Sequence, residues 1–288
     1  MRNWCLFLIL GIIWGCQGKE NKRPSIYEGK INVAMDESIM PLIQAETDGY
    51  KMHYPKAGFE TFVMPETQAV KWLLSDSMDV ICITRLLNEE EMAIVNKREI
   101  KYIPAPMALD AVVLITHPDS DLKQLSLDEL KDLFKGKGRK LVFDVGSSSN
   151  LNHVLNTLGI KEFDKDAVVA AGSNLKVFDF VKKDKSAIGF VGFNMISEKS
   201  NEGSVELRNS VKILSVDGIA PSKGTIVEQV YPFHRTIYLH TLGTAWGVEN
   251  GFIRFACTKP GQLIAEKMGL VPYYAIPKEF YLSKEDLQ

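Results

Sequence analysis

The sequence predicts an α/β fold built on largely parallel sheets, and three observations carry that prediction. From residue 30 onward, short apolar runs of strand length alternate with segments of helical periodicity, the pattern of repeated strand–helix units. Several of the runs, such as 79–84 (DVICIT), are apolar without alternation, as in strands covered on both faces. The 288 residues are 45% apolar and 24% charged, an ordinary globular balance. Single cores stop growing at roughly 250–300 residues, so two lobes are expected.

The elements follow in order. Residues 30–35 (KINVAM) read as a strand and 40–54 as a helix with Pro41 in its first turn, where a missing N–H costs nothing. Residues 59–64 are strand-like, and 67–76 are helical with Val70, Leu73 and Leu74 on one face. After the 79–84 strand come a helix over 89–98 and a strand over 108–116 that stops at His117-Pro118. Ser126 and Glu129 have capping-box spacing before a short helix ending at Gly136. Residues 140–145 form a strand, and Gly146-Ser147-Ser148-Ser149-Asn150 opens a helix that Gly159 ends. Then come a strand at 168–171, a helix at 174–183 and strands at 187–193, 211–216 and 231–239. Helices over 248–258 and 260–268 close the series, with Gly269 after the second.

The N-terminus reads differently. Arg2 precedes an eleven-residue apolar run, 4–14, too short for the roughly 20 residues that span a bilayer but right for a secretory signal peptide over 1–15. Gly15-Cys16 at its end resembles a bacterial lipobox, which implies cleavage and lipidation at Cys16, with 16–27 as a tether. Removing 1–15 moves the net charge from −2 to −3. With no basic block, no nucleic-acid partner is expected. Cys82 lies in a strand pattern and Cys257 in a helix pattern; two cysteines make no disulfide framework, and both read as buried free thiols.

Ligands of α/β folds bind beyond strand carboxyl ends, near helix N-termini. Three such junctions carry hydroxyls: Asp36-Glu37-Ser38, Glu66-Thr67 and the serine loop 146–150. Free backbone N–H groups, hydroxyls and a helix dipole together make an anion cradle, although each site is also an ordinary N-cap. Thr84-Arg85 ends the DVICIT strand, where a guanidinium can meet an oxyanion. Catalytic patterns are missing. The five histidines, at 53, 117, 153, 234 and 240, have no metal-ligand spacing, and no nucleophile elbow, Walker loop or dinucleotide fingerprint follows a strand. His153, one turn beyond the serines, reads as a cap or a helix-surface residue rather than as their activator, and Tyr231, Phe233, Tyr273 and Tyr274 read as core.

In series, these segments resemble the substrate-binding component of the bacterial high-affinity phosphate ABC transporter. The resemblance rests on 78–87 (MDVICITRLL), 113–136, the serine loop, 187–192 (AIGFVG), 231–238 (YPFHRTIY) and 252–272, and it covers roughly 28–274. It implies a type II periplasmic-binding-protein fold: two lobes, each a mixed, mostly parallel sheet flanked by helices, joined by crossover strands near 108–116 and 231–239. Lobe one would be 28–110 with 237–288, and lobe two 111–236. The protein would be an exported, membrane-anchored lipoprotein, a monomer without cofactor or resident metal. It would not be an enzyme. Its partners would be inorganic phosphate and the permease subunits of an ABC transporter. The phosphate ligands implied are Ser38, Thr67, Thr84, Ser147, Ser148, Ser149 and Asn150, with Arg85 supplying the charge.

The chain departs from the family in three places. Phe143 and Asp144 stand where many relatives have an arginine before the serine loop, Thr84 stands where an aspartate is common, and the first loop is Asp36-Glu37-Ser38 rather than glycine-rich. The aspartate matters because phosphate at neutral pH carries a proton and sulfate does not. A buried carboxylate accepts a hydrogen bond from the first and repels the second, and an unpaired buried group costs about 1–3 kcal/mol. Glu37, Glu66 and Asp144 are the available acceptors. Other oxyanions (sulfate, molybdate or a phosphonate) stay open as ligands, as do enzyme or surface-interaction roles on the same fold.

Overall fold

The computed structural model describes residues 24–276. The signal-peptide and Cys16 readings therefore lie outside the described residues.

Three parallel strands begin the chain: β1 (Glu28–Met35), β2 (Lys56–Val63) and β3 (Val80–Ile83), with β1 in the middle. α1 (Met40–His53), with Pro41 in its first turn, and α2 (Glu66–Leu74) connect them. α3 (Glu89–Asn96) starts at a capping box in which Asn88 and Glu91 satisfy each other's backbone N–H. The long β4 (Ala105–Thr116) follows, then β5 (Gln124–Leu125) and α4 (Leu127–Phe134), which carries the expected Ser126–Glu129 capping box.

The next segment runs β6 (Leu141–Phe143), α5 (Ser149–Leu158), β7 (Val168–Ala170), α6 (Asn174–Lys183) and β8 (Ile188–Gly192). Ser148 caps α5, and Gly159 ends it in the left-handed conformation at φ +68°. Then come α7 (Asn194–Ser197), α8 (Glu202–Asn209), β9 (Lys212–Ile213), β10 (Ser215–Val216) and α9 (Lys223–Val227). The chain returns along β11 (His234–His240) and finishes with α10 (Val248–Ala256), α11 (Lys259–Lys267) and β12 (Val271–Pro272).

One curled sheet has the order β2-β1-β3-β11-β4-β8-β6-β7. Its ends are parallel and its centre antiparallel, because β11 runs against both β3 and β4. β4 reaches across that centre: its first half pairs with β11 and β12, its second with β8 and β9. This is the type II periplasmic-binding-protein fold. The core on one side gathers Tyr50, Phe252 and Phe255 edge-on, and on the other stacks Phe143 on Phe190 at 4.3 Å. Each contact of this kind adds about 0.5–1.5 kcal/mol beyond area burial.

Several expectations need correction. The strand expected over 211–216 is two strands with different partners, since Lys212–Ile213 pairs with β4 and Ser215–Val216 with β5. Residues 26 and 27, expected to belong to the tether, pack on α1: Tyr50 donates its hydroxyl to the Ile26 carbonyl and Tyr27 packs on Tyr54. Tyr231 and Phe233 are core, but Tyr273 and Tyr274 are exposed. Both Cys82, fully buried, and Cys257, partly buried, are free thiols.

Candidate functional site

The antiparallel register sets Arg235 of β11 directly opposite Asp110 of β4. Both side chains are shut off from solvent. A buried charge persists only when paired and hydrogen-bonded, and Arg235 is fully engaged. Its Nε and Nη2 donate to Asp110 Oδ2 at 2.9 and 2.7 Å. The rest of the guanidinium fork faces two other elements. Nη1 donates to Asn150 Oδ1 at 3.0 Å and lies 3.4 Å from Ser149 Oγ, both at the start of α5, while Nη2 donates to Ser38 Oγ at 3.2 Å.

Ser38 and Ser149 meet at that point, their hydroxyl oxygens 2.9 Å apart although 111 residues separate them. The Asp36 carboxylate joins them, accepting the Ser38 N–H at 2.9 Å and the Ser149 hydroxyl at 2.6 Å. Asn194, at the start of α7, donates its side-chain amide to the Ser38 carbonyl at 2.5 Å and its backbone N–H to Asp110 at 3.2 Å. Gly192 makes the close approach feasible. A Cβ there would sit 3.1 Å from the Ser38 carbonyl oxygen, 3.3 Å from Arg235 Nη2 and 2.7 Å from Asn194 Oδ1. Nearer the rim, Glu37 accepts the Asn174 N–H at 3.0 Å.

Carboxylates crowd this centre. Burial raises the Glu66 carboxyl above its ordinary range and the Asp36 charge adds to the effect, while the Thr84 N–H and hydroxyl, at 2.5 and 2.8 Å, oppose it. Burial likewise lifts Asp144 to about 6, with the Ser148 hydroxyl opposing and Asp36 reinforcing. Asp144 Oδ2 accepts from the Asn174 amide at 3.4 Å, whereas Oδ1 is buried without a partner. The cluster thus offers one guanidinium, several hydroxyl and amide donors, and carboxylate acceptors near an oxyanion's reach.

Of the residues expected from the sequence, Ser38, Ser149 and Asn150 converge on Arg235, and Ser148 is buried as the α5 cap against Asp144. Thr84 is buried against Glu66. Thr67 and Ser147 are exposed, outside the buried cluster, because each lies one position before or after the residue its helix turns inward. Arg85 meets a different arrangement from the one expected. Its guanidinium is held by both oxygens of Glu91 at 2.7 and 2.8 Å, so it stands at the rim. There it lines a cavity of about 470 Å³ with Thr84, His153, His234 and Arg235. His153, half-buried on α5, turns its Nε2 away from solvent, and burial lowers it to about 4, with Arg235 and His234 adding to the effect.

Asp36, Asp110, Asn174, Asn194 and Arg235 were not among the expected ligands. The signal for two of them was present. Asp110 is the sole charge in the run 108–116 and Arg235 the sole charge in 231–239. Opposite lone charges inside two apolar strands mark a buried pair. Asn194 had no such signal, because its role comes from tertiary approach alone.

Residues 25–259 match the family described as PBP superfamily domain. The chain is 28% identical, over 81% of its length and 72% of the relative's, to the phosphate-binding protein PstS of Staphylococcus haemolyticus. Among solved structures it resembles an ABC-type phosphate transport receptor from Vibrio cholerae with a TM-score of 0.67 at 18% identity, covering 84% of this chain and 99% of that one. It also resembles the reduced form of OxyR, with a TM-score of 0.55 at 15% identity over 85% of this chain and 98% of that one. Likeness at that level of identity shows the fold alone.

Proposed function

The chain belongs to the PBP superfamily, and from that premise we propose that it is an extracytoplasmic binding protein. It captures inorganic phosphate between two lobes and delivers it to an ABC permease. One observation carries the reading: Arg235, the buried guanidinium at the centre of the sheet, has hydroxyls from opposite ends of that sheet, Ser38 and Ser149, at hydrogen-bond distance. The curated PstS relative supports phosphate as the ligand.

In this reading the lobes are 28–110 with 237–288 and 111–236, and β4 and β11 are the hinge. Closure brings Ser38 and the α5 N-terminus around one oxyanion, and the open and closed forms interconvert. Arg235 supplies the charge, while Ser38, Ser149 and Asn150 orient the oxygens. Thr84 acts through Glu66. The acceptor set is Asp36, Glu66 and Asp144. A phosphate that carries a proton can donate to these carboxylates. Sulfate brings only acceptors, so the same groups exclude it, at an unpaired-group cost of about 1–3 kcal/mol. The protein is a monomer without catalytic activity, lipidated at Cys16 for anchorage.

Calorimetry on the chain from Gln17, unfolded and refolded to strip bound anion, tests the reading. Phosphate should give saturable heat and sulfate none. Arg235→Lys keeps the charge but loses the fork, and should weaken phosphate by at least about tenfold. Ser149→Ala, which leaves the ion pair intact, should also weaken it. No heat from either anion would overturn the proposal; heat from sulfate or molybdate alone would replace the ligand.

A further inference from the structure

A second cavity, of about 850 Å³, is separate from the cleft. It lies behind it, on the far side of α7. Asn194, at the start of α7, reaches the Ser38 carbonyl, while Ile196 and Ser197, at its end, line this second space. One wall is α7, α8 and β9; the opposite wall is the end of α11 and Gly269. Ser197 Oγ donates to the Met268 carbonyl at 3.1 Å from one wall to the other, and Lys223 Nζ of α9 donates to the Glu266 carbonyl at 3.4 Å. Gly269, at φ +83°, permits that contact: a Cβ would fall 2.4 Å from the Ser197 carbonyl carbon and oxygen.

The chemistry of this cavity is the reverse of the cleft's. Its floor is apolar, formed by Phe193, Ile196 and Ile213. Its cations are Lys199, Arg208, Lys223 and Lys267, with Glu266 the sole carboxylate. Among the described residues none of the four cations is in an ion pair. Arg208 donates through Nη1 to the Ile196 carbonyl at 2.9 Å, which fixes its guanidinium against the α7 wall. Among the described residues the exposed ammonium groups of Lys199 and Lys267 have no protein hydrogen-bond partner. A volume of this size suits a molecule of drug or nucleotide dimensions (about 300–1,000 Å³). Several unpaired cations favour a dianion over a single carboxylate.

We propose that this cavity is a second ligand site, which takes a small soluble phosphate monoester with an apolar body. The phosphoryl group meets the lysines, and the body covers Phe193, Ile196 and Ile213. The site is independent of what the cleft binds. Because α7 borders both spaces, an occupant there touches the element that holds Ser38.

Phenyl phosphate is the probe, titrated by calorimetry into the chain from Gln17 after loading with inorganic phosphate and removal of the excess, so that the cleft contributes no heat. The expected result is saturable one-to-one binding. The double variant Lys199→Glu/Lys267→Glu should weaken it by at least about tenfold, with unchanged circular dichroism. Ile213→Trp, which fills the floor, should abolish it. Benzyl alcohol, with the ring but no charge, should not bind. The proposal is overturned by absence of heat, by equal affinity in the charge-reversed protein, or by equal binding of benzyl alcohol. Capture by phosphatidic-acid vesicles without phenyl phosphate binding would also overturn it, since the source would then be a lipid headgroup.

Discussion

Glu46 of α1 is fully buried and neither carboxylate oxygen has a partner. Burial raises it to about 9. The native state therefore keeps a proton that the unfolded chain releases above about 4.5. Stability from this group is complete below that value and is lost as pH rises toward 9. At pH 7 the loss is about 3 kcal/mol, at ~1.4 kcal/mol per unit. Glu46→Gln should raise the midpoint of urea unfolding at pH 7 to 8 and leave it nearly unchanged at pH 4; equal gains at both values would rule the explanation out. Arg235 with Asp110 is the opposite kind of burial. A buried ion pair adds little net stability against an apolar replacement, so the proposed anion site gives a better account of its place in the centre of the sheet than stability does. Hydroxyls at helix starts pointed to Ser38 and Ser149, and these two meet in the buried cluster. Arg235 is harder to read, because its partner Asp110 lies 125 residues away and only the strand register brings them together.

At the scale of the element, the turn from β8 into α7 sets Gly192 close against the Ser38 carbonyl and Arg235. Gly192→Ala should leave β8 intact, since its strand neighbours on β4 are unaffected. Yet the new methyl would press on Asn194, Ser38 and Arg235. We expect phosphate affinity to fall by about tenfold or more with a small change in melting temperature; undiminished affinity would show that the seam can widen freely. The elements legible in the sequence were those that bury a periodic face, such as α4, α6 and α10. α8 has no buried residue, so it left no apolar period to read. α9 buries only Ile226. The split of 211–216 was equally invisible, because a strand that changes partners keeps the same side-chain alternation. Cap chemistry was more dependable than periodicity for boundaries: Ser126, Ser148 and Gly159 each stand where the spacing put them.

For the whole molecule, β4 and β11 belong to both ends of the sheet, which should couple the ends during unfolding. Trp72 and Trp246 are the tryptophans among the described residues, and they lie in α2 and just before α10. Fluorescence therefore reports the β1–β3 end, while far-ultraviolet circular dichroism reports the entire chain. Coincident urea transitions by the two probes are expected; a separate fluorescence transition would mean that the ends melt independently. The order of strands has a consequence for how the chain is made. β3 waits for β11, and the aromatic cluster around Tyr50 waits for Phe252 and Phe255, some two hundred residues later. The β6–β8 segment, by contrast, has its partners close in sequence. Pairings across long sequence distances form slowly, so a growing chain completes its middle before its beginning. The first hundred residues emerge with an unpaired strand edge and an open apolar face, an invitation to chaperones and to aggregation that lasts until the final helices arrive.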